Sequence, residues 1–212
     1  MAVTISENTK PSKRLGGHRR RLIVTIVLGC ATVVAGSPRA QSVDSTGTAI
    51  DDGPLTLVAD LSKRTLSLRL GETVRESYPI AIGTNSKPTP TGTFRIRKVV
   101  WNPAWIPPDE KWAKGKLAQP PGAKANPMKL VKIFFREPDY YIHGTSDTES
   151  LGDRASHGCL RMNPDDAYRV ARYLMTHGGS PRDENWFWRV LHLRSETKTV
   201  YLDNPIQLTI TR

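Results

Sequence analysis

The feature that most constrains the fold is the alternation of apolar and polar residues from Pro54 onward. Within residues 55–70 (LTLVADLSKRTLSLRL), Leu55 and Leu57 precede a polar turn, and Leu66 and Leu68 follow it. A period of two places alternate side chains on one face of a strand, and two such runs around a short turn are typical of a β-hairpin. Similar runs at 74–83, 93–100 and 129–135 extend the pattern. We therefore predict a mostly β domain, arranged as a mostly antiparallel meander.

Two regions interrupt the strand pattern. Residues 101–128 are rich in proline and contain Trp101, Trp105 and Trp112, which predicts a long irregular insert. The tryptophans either form a flap over a substrate groove or pack against the sheet, and the sequence leaves both readings open. Further on, Asn163 and the proline after it predict the start of a helix. A capping box beginning at Ser180 predicts a second, shorter helix, and 199–202 and 206–210 are predicted as two closing strands.

The first forty residues differ from the rest of the chain. Five basic residues at positions 13–21 precede fifteen uncharged residues at 22–36. A basic start before a short apolar run is typical of a secretory signal, and a bilayer-spanning helix needs about 20 apolar residues. We expect residues 1–40 to be a signal peptide or an anchor in the inner membrane, residues 41–53 a linker and residues 54–212 the folded domain. The expected location is the periplasm or cell envelope.

The net charge of the chain indicates which class of molecule it binds. The chain has a net charge of +11, but the leader holds seven of the 31 basic residues and one of the 20 acidic residues, which leaves about +5 for the remainder. A moderately basic surface suits an anionic polymer or a membrane face. The sequence has no basic helix, zinc-ligand cysteines or aromatic-glycine ribonucleoprotein motif, so we do not expect nucleic-acid binding.

Cysteine usage points to one segment. Only Cys30 and Cys159 occur, and removal of the leader would leave Cys159 alone in an oxidising compartment. Cys159 lies in residues 141–162 (YIHGTSDTESLGDRASHGCLRM), a polar stretch with two His-Gly pairs. A thiol attacks as the thiolate, and a nearby imidazole can take its proton. His143 and His157 are both candidate bases, and spacing alone does not choose between them.

The glycines beside the two histidines and the cysteine suggest a second catalytic element, and a metal site is the rival interpretation. The backbone amides of Gly158 and Cys159 are candidates for an oxyanion hole, and Gly144 allows a carbonyl to approach and orient His143. A zinc ion could use His143, His157 and Cys159, but the chain has no CxxC or HExxH spacing. We therefore expect acyl transfer through a thioester, without a metal or cofactor.

These residues also carry a family resemblance. The motif SHGCLRM at residues 156–162, preceded by IHGT at His143, resembles the signature of bacterial L,D-transpeptidases of the YkuD/ErfK type. The loop TPTG at 89–92 and the segments NPAW and PPGAKANPM resemble other parts of that family. The resemblance implies a β-sandwich-like fold from about Leu55 to the C terminus, with Cys159 as nucleophile, His143 as general base and the Gly144 carbonyl orienting it.

The resemblance assigns the remaining site residues more loosely. It implies that His157 shapes the pocket, that Ser156 bonds locally and that Arg161 holds a substrate carboxylate or makes a structural salt bridge. Trp105 of the insert is a further pocket candidate.

The implied function is that of a cell-wall enzyme. Members of this family take a peptidoglycan tetrapeptide stem as acyl donor, release D-alanine and pass the acyl group to an amine of a neighbouring stem, which forms a 3→3 crosslink. Related members hydrolyse the stem, exchange D-amino acids, or attach or detach a lipoprotein. We expect a monomer whose partner is the stem peptide of the cell wall. A non-catalytic wall-binding module is the alternative outside enzyme chemistry.

Overall fold

The computed structural model describes residues 53–212, so the expected signal or anchor at 1–40 and most of the linker at 41–53 lie outside it. The described chain forms ten strands and two α-helices. Their bounds are β1 Leu55–Asp60, β2 Thr65–Leu70, β3 Thr73–Pro79, β4 Ile82–Gly83, β5 Gly92–Trp101, β6 Val131–Arg136, β7 Tyr140–Gly144, β8 Arg154–Ser156, β9 Leu160–Met162, α1 Pro164–His177, α2 Glu184–His192 and β10 Lys198–Thr211. The prediction of a mostly β domain is confirmed.

The first hairpin follows directly from the sequence pattern. Strands β1 and β2 pair antiparallel, with Leu57 opposite Leu68. The turn between them is closed by Asp60, whose Oδ1 accepts from the amides of Ser62 at 2.9 Å and Lys63 at 3.0 Å. The alternate residues of both strands are buried, as the period of two requires.

The sheet is not a simple meander. Its eight strands lie in the order β3-β2-β1-β10-β5-β6-β7-β9, and β4 pairs with β8 in a separate ladder. Most pairings are antiparallel, but β10 lies parallel to β1 and β9 lies parallel to β7. The meander prediction is wrong because the last strand inserts between β1 and β5. The two predicted closing strands are one strand, β10, with an irregularity between Tyr201 and Ile206.

Helix α1 packs against the sheet strands that carry the site. Asn163 caps it by accepting from the Asp165 amide at 2.9 Å, as predicted. Its apolar stripe contacts β6, β7 and β10. For α2 the predicted cap was wrong: Asp183 caps the helix by accepting from the Trp186 amide at 2.7 Å. Ser180 instead donates to the Tyr201 carbonyl at 2.8 Å.

Trp101 belongs to the core and not to a flap. It ends β5, is fully buried and makes edge contacts with Tyr168, Trp186 and Phe187 at centroid distances of 5.6–5.8 Å. Its indole N–H donates to the sulfur of Met175 at 3.3 Å. The side chain therefore joins the sheet to both helices. Neither helix in residues 53–212 has the length and apolar character needed to span a bilayer.

Candidate active site

The parallel pairing of β7 with β9 brings the predicted site residues together. In this pairing Ile142 lies opposite Leu160, and His143 lies opposite Arg161. Cys159 directly precedes β9, so its backbone lies beside β7, and both Cys159 and His143 line one cavity. The sequence did not predict β9, because three residues are too few to show an alternating pattern.

The turn that carries the thiol is held by the hydroxyl of Ser156. Its Oγ donates to the Cys159 carbonyl at 2.6 Å and accepts from the Gly158 amide at 3.1 Å. Ser156 is thus bonded locally, although it also lines the cavity. The expected oxyanion-hole role of the Gly158 amide does not fit this geometry, because that N–H already has a partner. Of the two amides considered, that of Cys159 is the remaining candidate.

Glycine at position 158 has a different physical reason. Its φ is +113°, a conformation that residues with a side chain rarely adopt. A Cβ there would lie 2.8 Å from Cε1 of Tyr140, which is closer than real Cβ contacts come. Gly158 therefore allows the chain to turn sharply against β7, which places Cys159 at the cavity.

His143 is fixed by the residue that follows it. The imidazole is only 4% exposed, and its Nδ1 lies 2.8 Å from the Gly144 carbonyl. A carbonyl oxygen only accepts, so Nδ1 carries the proton and Nε2 keeps its lone pair. A Cβ on Gly144 would lie 2.9 Å from Cα of Pro164, so glycine permits the close approach of α1. This tautomer leaves His143 able to act as a base through Nε2.

The thiol and the imidazole are both neutral at neutral pH. Burial raises the pKa of the Cys159 thiol to about 11. Burial, followed by the positive charge of Arg161, lowers the pKa of His143 to about 3. The thiol proton is directed to the Asp139 carbonyl, with Sγ 3.3 Å from that oxygen. The pair is therefore not a preformed thiolate–imidazolium pair, and the proton has to move as the sulfur attacks.

Two cations flank His143 across the sheet. Lys132 of β6 and Arg161 of β9 are each in register with it. Directly paired residues project from the same face of a sheet. The Nζ of Lys132 lies 3.4 Å from the Ala104 carbonyl and 4.8 Å from the centre of the Tyr141 ring. Neither cation has an ion-pair partner within residues 53–212. The alternative of a structural salt bridge for Arg161 is therefore wrong for the described part of the chain.

Two residues of this site, Lys132 and Tyr141, were not predicted from the sequence. Hydrogen bonds from Tyr141 favour the thiolate form of Cys159, although burial outweighs them in setting the pKa of the thiol. Lys132 stands at a partly exposed position of β6, and a lysine between the apolar residues Val131 and Ile133 was the available signal. Nothing in the sequence showed that its strand would lie next to that of His143.

A cavity of about 600 Å³ opens over these groups, and the segment between β5 and β6 forms one wall. Trp105 is buried in that wall, and its backbone exchanges two hydrogen bonds of 2.8 Å with Gln119. Trp112 stacks on the ring of His157, with centroids 3.9 Å apart. The groove-lining interpretation therefore fits Trp105 and Trp112, and packing against the sheet fits Trp101.

His157 lines the cavity beside Trp112. In the chain it lies two residues before Cys159, and Arg161 lies two residues after Cys159. Although the His157 side chain is exposed, it has lost part of its hydration, and this loss and the positive charge of Arg161 lower its pKa. Across residues 53–212, no group of three or more His, Cys, Asp or Glu side chains is arranged to hold a metal ion.

Comparison with known families agrees with this geometry. Residues 54–190 match the model of the YkuD family, the L,D-transpeptidase catalytic domain. This chain belongs to that family. The match covers both His143 and Cys159, and it begins where the first strand of the sheet begins.

The relatives are more distant in sequence. The chain is 29% identical over 118 residues to a putative L,D-transpeptidase YkuD of Bacillus subtilis, which covers 56% of this chain and 59% of the relative. It is 34% identical over 95 residues to a probable L,D-transpeptidase YbiS of Escherichia coli, which covers 42% of this chain and 31% of the relative. The chain thus spans less than two thirds of the length of these curated relatives.

Among solved structures, one match is to an L,D-transpeptidase from Mycobacterium smegmatis. The TM-score is 0.47 at 18% sequence identity, and the match covers 78% of this chain and 61% of that structure. A catalytic domain of an L,D-transpeptidase from Enterococcus faecium gives a TM-score of 0.46 at 14% identity, and the match covers 76% of this chain and 98% of that structure.

Proposed function

We propose that residues 54–212 form a cysteine L,D-transpeptidase that makes 3→3 crosslinks in peptidoglycan. The observation that supports this most is the parallel β7–β9 register, because it places Cys159 and His143 at one cavity. A cavity of about 600 Å³ is within the range of pockets that bind small molecules. The substrate is the tetrapeptide stem of the cell wall, and residues 1–40 would deliver the domain to the periplasm as a signal peptide or membrane anchor.

Acylation begins with the neutral thiol. As Sγ of Cys159 attacks the carbonyl carbon of the third stem residue, the thiol proton passes to Nε2 of His143. The Gly144 carbonyl holds the Nδ1–H and stabilises the imidazolium that forms. The Cys159 amide would donate to the oxyanion. The C–N bond then breaks, the imidazolium protonates the leaving amine, and D-alanine departs to leave a thioester on Cys159.

Deacylation repeats the same proton transfers with an amine as nucleophile. His143 accepts a proton from the attacking amine of a second stem, a new amide bond forms, and the Cys159 thiolate leaves and is protonated. Water in place of the amine would give hydrolysis, so the nature of the acceptor decides the product. Trp105 and the Trp112–His157 stack line the cavity in which the acceptor amine would bind.

The test is a product analysis with the full-length protein and purified tetrapeptide muropeptides. Mass spectrometry should show released D-alanine and a 3→3 dimer. Cys159→Ala and His143→Ala should remove both products. His192→Ala is the matched control, because His192 is a histidine on α2 outside the cavity, and it should leave dimer formation unchanged.

The products separate the competing functions. Tripeptide without dimer, in the presence of a second stem, would identify a hydrolase and contradict the crosslinking proposal. A conjugate of one stem with an added lipoprotein amine, formed without any 3→3 dimer, would identify a lipoprotein-attaching enzyme. Binding without any release of D-alanine would identify a wall-binding module.

A further inference from the structure

We propose that Lys132 and Arg161 together form the subsite for the terminal carboxylate of the leaving D-alanine, so that the domain selects donors that end in a free carboxylate. This inference rests on the proposed function and names a specificity-determining pair for it. Lys132, which lies outside the SHGCLRM and IHGT motifs, is the new member of the pair.

The sheet geometry places both cations beside the reacting groups. Lys132 and Arg161 lie in register with His143 on the two strands that flank β7. Neighbouring strands are about 4.8 Å apart, so the two backbones are roughly 10 Å apart on either side of His143. Both side chains project from the His143 face, and both line the cavity. Long side chains from such positions can converge on one anion above the imidazole.

The two charges lack the partner that such groups normally have. Within residues 53–212 neither cation makes an ion pair, and the partly buried Lys132 contacts only uncharged groups, the Ala104 carbonyl and the face of the Tyr141 ring. Asp139 and Asp147 also line the cavity, but neither lies within ion-pair distance of the two cations. A partly buried cation is favoured when it is paired, so the arrangement suits an incoming carboxylate.

The place where the charges of Lys132 and Arg161 act identifies the carboxylate that they bind. Both cations shift the pKa of Cys159 and of His143, so their charges act at the point of attack. The carboxylate nearest to the attacked carbon is that of the terminal D-alanine, one residue beyond it, or about 4 Å. Other stem carboxylates lie further along the peptide. The planar fork of Arg161 suits two-point binding, and Lys132 supplies a second point charge.

The first experiment compares tetrapeptide donors that end in D-alanine or in D-alanine amide. The wild-type protein should prefer the acid by about tenfold or more in kcat/KM, as expected for a charge-assisted contact. Lys132→Met and Arg161→Gln should each bring the ratio of acid to amide close to one, mainly through the KM of the acid. Lys132→Arg should restore the preference. A wild-type protein that uses both donors equally, or variants that lose both donors in equal proportion, would overturn the proposal.

The second experiment needs no transpeptidase activity. Iodoacetate and iodoacetamide alkylate a thiol by the same displacement of iodide, but only iodoacetate carries a carboxylate. The measured quantity is the rate of alkylation of Cys159 by iodoacetate divided by its rate with iodoacetamide, followed by peptide mass spectrometry. This ratio should fall about tenfold in Lys132→Met, as expected for loss of one charge-assisted contact. The ratio also corrects for any change in the pKa of the thiol, because both reagents react with the same thiolate. Lys116→Met removes another cavity cation, which lies over the Trp112 ring, and should change the ratio less.

The two experiments fail in different ways. If the wild-type protein releases neither D-alanine nor its amide, the proposed function fails, and the alkylation ratio still reports on the carboxylate subsite. If Lys116→Met lowers the ratio as much as Lys132→Met, the effect is that of net charge and the subsite is refuted.

Discussion

Replacement of Gly158 by alanine tests how the nucleophile is positioned. The φ of +113° makes any side chain unfavourable, at about 1–3 kcal/mol for a strained backbone. The new Cβ would also meet Cε1 of Tyr140 at 2.8 Å, and forced overpacking adds about 1–3 kcal/mol. Gly158→Ala should therefore lower the free energy of unfolding by about 2–6 kcal/mol. Relief of the clash would shift Cys159, so activity should fall at temperatures where the variant is still folded.

The chain offers a control that separates these two effects. Gly152 has a φ of +95°, but no atom lies within 4 Å of a Cβ built there. Gly152→Ala should show only the backbone strain, about 1–3 kcal/mol. Urea unfolding measures the free energy of unfolding of both variants, provided that the slope of that free energy against urea concentration is unchanged. Addition of Tyr140→Ala to Gly158→Ala should recover the clash component. If Gly158→Ala destabilises no more than Gly152→Ala, the close contact with Tyr140 does not position the turn.

Three further predictions follow from the site. Because the pKa of Cys159 is raised to about 11, its iodoacetamide alkylation rate should keep rising through pH 9–10, above the usual thiol pKa of about 8.5, whereas a plateau near pH 8 or below would show a preformed thiolate. Because the pKa of His143 is lowered to about 3, unfolded chains bind its proton first as the pH falls below about 6.5, so stability should drop by up to about 4 kcal/mol between pH 6.5 and pH 3. His143→Gln should remove that component of the acid denaturation curve, and an unchanged curve would refute it. Asn126 donates to the Pro103 and Pro120 carbonyls at 2.8 and 3.1 Å, so Asn126→Ala should lower stability by about 1–3 kcal/mol and raise the KM for the donor, with urea unfolding and kinetics as the measurements.

Local features were predictable from the sequence because their causes are local. The β1–β2 hairpin depends on alternating leucines and on a turn closed by Asp60, all within sixteen residues. The start of α1 depends on Asn163 and its neighbours. For the same reason the short motif around Cys159 is enough to indicate a nucleophile.

Features that depend on distant pairings were not predictable. The insertion of β10 between β1 and β5 is a choice of partner that no single segment encodes. The three-residue strand β9 depends on pairing with β7 on one side and with Ala81 on the other. The β6–β7 and β7–β9 pairings together place Lys132 and Arg161 on either side of His143. The occupied amide of Gly158 depends on the rotamer of Ser156, which composition and spacing do not show.

The central claim is that Cys159 carries the acyl group and that His143 accepts its proton. The direct test is to mix the full-length protein with a tetrapeptide donor, quench with acid within the first turnover, and analyse the peptide that contains Cys159 by mass spectrometry. The proposed mechanism predicts an adduct on Cys159 with the mass of the donor less D-alanine, which forms much more slowly in His143→Ala and at the wild-type rate in His192→Ala. Release of D-alanine without an adduct on Cys159, or an adduct formed at an unchanged rate in His143→Ala, would contradict it.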